Sequence, residues 1–325
     1  MGRIVSSFRF ITVTAAALCV ATATSSAGFA QSYPNKPVKI IVQTAAGSSI
    51  DVSARLLADH LTRRWGQQVI VLNQPGAGGA IAVRALTNAP NDGYTLFFAA
   101  SSVFLVLPEL QKTLAADINA MVPIAFIGET PMAIAVSAKS PAKSLAELFA
   151  LSKTTAGGLN CAVSTRGGLS HLSAEALREA SQSDLTLVNY PGTAQALTDV
   201  IADRVPVIVD SVSALIGPAS GGQIRILGTA GPSRMKALPD IPAANETLPG
   251  FEATAWLALA APAGTDADII RKATDDVDAV LRDPGLAKRL EEIGTFPRQM
   301  NSGEFQNYIE AQKLRWSPVV QKFGT

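Results

Sequence analysis

Cysteine and histidine are almost missing from this chain of 325 residues, which holds two of each. His60 and His171 are far apart in sequence, and neither forms a cluster with cysteines at metal-ligand spacing. Cys161 has no second histidine near it to complete a nucleophilic pair. It stands in the strand-like run Leu159-Asn160-Cys161-Ala162-Val163 and reads as a buried small hydrophobe. An excess of charge of either sign is also lacking. Lysine and arginine number 27 and aspartate and glutamate 26, a net charge of +1, so no basic surplus points to nucleic acid and no acidic tail is visible. Charged residues make up only 16% and hydrophobic residues 48%, which excludes disorder and implies a large buried core. No Gly-x-Ser-x-Gly elbow is present.

What is there begins with a leader. Residues 1–30 carry Arg3 and Arg9, no acid, and a stretch of small and apolar residues from Phe10 to Thr24 that is too short to span a bilayer as a permanent helix. Gly28-Phe29-Ala30 fits the small-x-small rule for signal peptidase, so cleavage is expected after Ala30, with Gln31 as the new N-terminus. The remaining 295 residues lose two arginines and Cys19, which leaves a net charge of −1 and a single cysteine. One cysteine forms no internal disulfide, so a periplasmic body must be held by core burial.

That body repeats strand, loop, helix. Val38–Val42, Val69–Leu72 and Tyr94–Ala99 read as strands, with helices expected from Ser48 to Trp65 and from Ala80 to about Asn88. Ser48 and Asp51 match a capping box at the first of these. A second half follows the same logic: strands Cys161–Val163, Leu185–Tyr190, Val205–Val209 and Ile224–Gly228, with helices between them. The C-terminus reads as helices Ala267–Arg282, Gly285–Ile293 and Gly303–Lys322, the last broken at Pro318. The pairs Asp275-Asp276 and Glu291-Glu292 fall on these helices and read as solvated faces. Ile124–Gly128 and Ala255–Ala260 read as two crossings between halves. They divide the chain into a discontinuous first domain, 31–128 with 254–325, and a second domain, 129–253. Strands alternating with helices argue for parallel α/β sheets.

The loops at the carboxyl ends of the strands are small and polar, and ligands of open parallel sheets bind there. They are Thr44-Ala45-Ala46-Gly47-Ser48-Ser49, Pro75-Gly76-Ala77-Gly78-Gly79, Ala100-Ser101-Ser102, Ser164-Thr165-Arg166-Gly167-Gly168 and Pro191-Gly192-Thr193. Small residues let backbone N–H groups approach a ligand, and helix N-termini behind them favour anions. Loops of one half facing those of the other make a cleft suited to a small carboxylate. A dinucleotide reading of Gly76–Gly79 fails on Ile81 where a small residue is wanted, and no Lys-Ser or Lys-Thr follows for Walker A. Arg166, the one charged residue in these loops, reads equally as a bidentate clamp on a carboxylate or as a solvent-exposed loop arginine. His171 reads as a hydrogen-bonded structural histidine ahead of a ligand contact. Asp210, at the end of Val205–Val209, either caps the next helix or accepts a ligand amine. Trp256 reads as core or hinge packing.

Several of these segments resemble a known family. Tyr33-Pro34-Asn35-Lys36-Pro37-Val38-Lys39-Ile40-Ile41-Val42, Ala46-Gly47 with Asp51, Asn73-Gln74-Pro75-Gly76-Ala77-Gly78-Gly79 and Pro90-Asn91-Asp92-Gly93-Tyr94-Thr95-Leu96 are similar to the Bug family of periplasmic solute receptors of tripartite tricarboxylate transporters. The likeness continues through Ser170-His171-Leu172 with Glu175, Tyr190-Pro191-Gly192-Thr193, Ala196-Leu197-Thr198-Asp199, Leu238-Pro239-Asp240-Ile241-Pro242 and Ala261-Pro262-Ala263-Gly264-Thr265. The resemblance implies a type II periplasmic-binding-protein fold: two α/β lobes joined by two crossing strands, closing on a small carboxylate. It implies that Ala45, Ala46, Gly47, Ser48, Gly76, Ala77, Gly78 and Gly79 hold a carboxylate through backbone amides and bridging water. Ser101 joins them from the third loop. The second lobe adds Ser164, Thr165, Arg166, Ser170, His171, Pro191, Gly192, Thr193 and Asp210. No cofactor and no metal are implied. The implied partners are a mono- or dicarboxylate, aromatic acids included, and the membrane subunits of the transporter, with the receptor a monomer.

The chain departs from the family pattern. Gln43, Thr44 and Ser48 stand where a proline, an aromatic and a second glycine are usual, Arg166 replaces a small or amide residue, and Pro191 stands where lysine is common. An added arginine and less flexible loops suggest a ligand unlike the common one. A receptor for a signalling partner is an alternative that the residues leave open. A periplasmic enzyme would need a catalytic group, and none is visible in the loops.

Overall fold

Val38, Ile40, Ile41 and Val42 are all buried, which requires that the strand they form be covered on both faces. A computed structural model describes residues 33–164 and 166–323. The expected leader with its cleavage site, and Thr165, lie outside the described residues. Strand β1 (Val38–Val42) pairs in parallel with β2 (Val69–Asn73) on one side and β3 (Thr95–Ala100) on the other. Helices Ser49–Trp65 and Ala80–Thr87 make the crossovers that parallel pairing needs.

Strand β4 (Val122–Ser137) runs on well past the expected Ile124–Gly128. Its first stretch, Val122–Pro131, pairs antiparallel with β9 (Thr254–Ala261), and β9 pairs in turn with β3. Its second stretch lies between β7 (Val207–Ser211) and β8 (Ile224–Thr229). Beyond β7 come β5 (Leu159–Ser164) and β6 (Leu185–Tyr190), all three parallel. The resulting order is β2-β1-β3-β9-β4-β7-β5-β6, with β8 on β4.

Two prolines, Pro123 and Pro131, fall within this strand. Pro131 stands where β4 changes partners and needs no ladder N–H. At the next residue three backbone bonds close a ring: Met132 N donates to Ala253 O, Ala253 N to Ala230 O, and Ala230 N to Met132 O. Trp256, fully buried, packs just beyond this ring against Phe104, Phe126, Phe305 and Tyr308, in agreement with its reading as core or hinge packing.

Two C-terminal expectations are corrected. Helix Ser302–Phe323 continues through Pro318. Proline removes one backbone bond, and the buried Trp316 and Val320 on either side hold both parts of the helix to the core. Asp276 is not on a solvated face. It is buried and accepts hydrogen bonds from Arg64 Nε at 2.6 Å, Trp65 Nε1 at 2.7 Å and Lys272 Nζ at 2.8 Å, tying helix Ala267–Leu281 to helix Ser49–Trp65. Cys161 is buried, and burial pushes its thiol up to about 12, so it behaves as an inert hydrophobe.

Candidate functional site

Each loop that follows a parallel strand must turn sharply into a helix, and here these turns border one cavity of about 810 Å³. Its first wall comes from the loops after β1, β2 and β3, and its second from the loops after β5, β6 and β7. Thr130 and Met132 of β4, with Ala255 and Leu257 of β9, lie between the walls.

The first wall is shaped from behind. Ser48 caps helix Ser49–Trp65, its Oγ accepting from Asp51 N at 3.2 Å, as the capping box requires. The Asp51 carboxylate reaches one residue further back than the motif predicts and accepts from Gly47 N at 2.8 Å. It also accepts from Asn73 Nδ2 at 2.8 Å and Arg55 Nε at 3.0 Å, while Asn73 Nδ2 donates to Thr44 O at 3.0 Å. The β1 and β2 loops are thus fastened to one buried carboxylate. Burial alone would raise the Asp51 pKa, but hydrogen bonds from Arg55, Gly47 and Asn73 outweigh it and hold the group below its ordinary value.

The β2 loop takes four consecutive residues through positive φ: Gly76 at 128°, Ala77 at 47°, Gly78 at 65° and Gly79 at 105°. A β-carbon at Gly79 would lie 3.2 Å from Val103 Cγ2, so the core must give by a few tenths of an ångström to admit one, and φ of +105° favours glycine there as well. Gln43, left out of the expected site, joins the wall: its Oε1 accepts from Ala100 N at 3.1 Å and locks the end of β1 to the end of β3. The buried Ser101 accepts from Trp256 N at 3.4 Å.

The second wall is fastened through Ser170 and His171. Ser170 Oγ donates to Val209 O at 2.6 Å and accepts from Ser164 N at 2.9 Å, joining the β5 loop to β7. His171 lies behind the wall. Its Nδ1 accepts from Gly167 N at 3.3 Å, which leaves the ring proton on Nε2, facing Glu175 Oε1 at 3.8 Å. Burial lowers its pKa, opposed by Glu175 and assisted by Arg166 and Arg178, so the ring is neutral. This is the structural histidine that the sequence favoured.

Asp210 accepts from Ser211 N at 2.7 Å and from Thr193 Oγ1 at 2.8 Å, with the Ser164 hydroxyl as a further partner. It does not bond the first-turn amides of helix Val212–Ser220, whose N-cap is Ser211. Burial raises its pKa despite these bonds. Arg166 is exposed and lines the same cavity, and among the described lining residues these two are the charged ones.

Of the expected site residues, Ala45, Gly76, Ala77, Gly78, Gly79, Ser101, Ser164, Arg166, Ser170, Pro191 and Asp210 line the cavity. Ala46, Gly47, Ser48, His171, Gly192 and Thr193 stand beside or behind the lining. Val106, Leu107 and Leu110 line it without having been expected, because an apolar run reads as core. Ser213 and Thr295 line it too and reach it only through the fold. Helices Ala80–Thr87, Leu169–Ser181 and Val212–Ser220 begin at this lining with no side-chain cap. Their first-turn amides are the groups that bind anions at helix ends. Among the described residues no three His, Cys, Asp or Glu side chains are grouped to hold a metal ion, and no helix is long and apolar enough to cross a membrane.

Residues 53–325 match the family described as tripartite tricarboxylate transporter family receptor. A UPF0065 protein of Bordetella bronchiseptica is 33% identical over 293 residues, 90% of this chain and 87% of that one. Rpa4515 of R. palustris, solved with adipate, superposes with a TM-score of 0.81 at 28% identity, covering 90% of this chain and 98% of that one. MatC of Rhodopseudomonas palustris, solved with bound malate, gives a TM-score of 0.76 at 28% identity over 89% of this chain and 100% of that one.

Proposed function

The chain belongs to the tripartite tricarboxylate transporter receptor family, and with its two-lobed solute-binding fold we propose that it captures a small carboxylate in the periplasm and delivers it to the membrane subunits of such a transporter. The observation that carries this reading is the convergence of uncapped helix N-termini from both walls on one cavity. A carboxylate held by these amides and by the β1 and β2 loops needs no field of lysines, in keeping with a body of net charge −1 once the expected leader is removed. An exposed Arg166 in the lining supports a charge-assisted bond from the second wall. Val106, Leu107 and Leu110 suit an apolar ligand body, and Asp210 suits a hydroxyl or amine at its far end. A ligand that touches both walls at once favours the closed arrangement, so hinge closure at Pro131–Met132 follows from its contacts.

Native mass spectrometry of protein purified without added ligand tests the reading, followed by calorimetry with the co-purified compound, adipate and malate. A bound or titrating carboxylate is the expected result. A chain that carries none and titrates with none across a panel of aliphatic and aromatic acids would overturn it.

A further inference from the structure

Residues 294–298 leave helix Pro284–Glu292 and cross the sheet where β4 changes partners. Phe296 exchanges both backbone hydrogen bonds with Glu129, at 2.9 and 2.8 Å. The crossing is close: a β-carbon on Gly128 would lie 2.7 Å from Phe296 O. Arg298 pairs with Glu129 and pins the far end. Thr295, buried, places its Oγ1 3.2 Å from Ser53 Oγ on the helix behind the first wall. Gly294 faces the other way. With φ of +75° it sits on the first turn of helix Val212–Ser220, so that its missing β-carbon would lie 2.4 Å from Ser213 Cα and 2.6 Å from Ser213 N. Ser213 and Thr295 both line the cavity. Here the backbone of the segment that Thr295 ties to the helix behind the first wall meets the backbone of the second wall's helix with no side chain between them, one residue from an N-terminus that has no side-chain cap.

We propose that Gly294 is a positioning residue that sets the gap between the walls, and with it the length of ligand both can hold at once. It touches no ligand itself, and the assignment rests on the reading of the cavity as the ligand site. Carbon atoms pack at about 3.5–4.0 Å, so a methyl group at this position must push the second wall back by about 1 Å at the contact. Because β4 is the shared strand, such a displacement opens the walls rather than loosening one half.

The test needs no ligand. Spin labels at Asn88→Cys and Ala202→Cys, both exposed and in opposite halves, report the inter-wall distance in a Cys19→Ser background, Cys161 being buried. Gly294→Ala is expected to lengthen the mean distance by about 1 Å or more and to weaken binding of any carboxylate that titrates to the native chain by about tenfold. Ser213→Val adds bulk to the same contact from the helix side, should Gly294→Ala not fold as judged by circular dichroism, and is expected to shift the distance in the same direction. Folded variants with unchanged distances overturn the proposal, since a merely structural glycine would lower the melting temperature and leave the gap alone. Failure of every carboxylate to bind would refute the proposed function while this measurement still decided the role of Gly294.

Discussion

The two walls of the cavity solve one problem in opposite ways. The first presents almost no side-chain charge to the cavity and keeps its ionised group behind the surface, where Asp51 fastens Gly47, Asn73 and Arg55. The second carries two charged side chains in the lining, Arg166 exposed and Asp210 buried among hydroxyl partners. A wall of backbone amides recognises any carboxylate, because every carboxylate offers the same acceptors. A wall of side chains discriminates, because a charge or a hydrogen-bond acceptor suits one ligand end and rejects another. If the cavity binds a carboxylate as proposed, capture and selection are separable by mutation.

Asp51→Ala breaks the first wall most severely. It leaves the Asn73 amide and Gly47 N–H without their buried acceptor, which should lower stability by about 3 kcal/mol in urea unfolding and weaken carboxylate binding of every kind. The pH dependence has a definite sign. The folded pKa lies below its ordinary value of 3.8, so the stabilisation is present above that value and is lost as pH falls through the folded one. The acid limb of unfolding should be shallower in the variant than in the native chain.

Gly79→Ala comes next, at about 2 kcal/mol, since φ of +105° is strained for any L side chain and Val103 stands 3.2 Å from the new methyl. Gly78→Ala, with φ of +65° and open space around it, should cost only about 1 kcal/mol. Equal losses at the two positions would mean that the β2 loop is not seated on the core as described.

Much of this contrast was legible in the sequence. Small residues after parallel strands marked both walls, and Ser48 with Asp51 announced the first helix. What escaped had physical causes. Val106, Leu107 and Leu110 line the cavity although such residues usually fill a core. The crossing read over Ile124–Gly128 is the first part of a strand that passes at Pro131 from one ladder to two others, a length that its local sequence does not show. Asp276 looked solvated because a helical pattern cannot show that Arg64 and Trp65 will pack against it. Thr295 reaches the cavity, and Gly294 the helix beside it, only because a distant segment folds back onto β4.

Asp210→Asn sharpens the second wall. Burial raises the folded pKa of Asp210, so its contribution to stability is fully present below the unfolded value near 3.8 and erodes as pH rises through the folded one. The amide keeps the shape and cannot ionise. As pH rises above 3.8 the stability difference should move in favour of the variant. A difference independent of pH would show that Asp210 is solvated, and its place in the buried lining would fall with it.

Arg166→Ala should change stability least and selection most. The side chain is exposed, and substitutions of that kind usually stay within about 0.5 kcal/mol. Loss of one charge-assisted bond from a ligand corresponds to roughly tenfold or more in affinity. The signature is a drop in affinity measured by calorimetry against an unchanged melting temperature, the reverse of what Asp51→Ala produces. Raising salt should weaken the native complex more than the variant complex, because an exposed ion pair is screened where buried amides are not. If the Arg166→Ala chain binds its carboxylate as tightly as the native one, Arg166 is a solvated loop residue, and discrimination at the second wall falls to Asp210 and its hydroxyl partners alone.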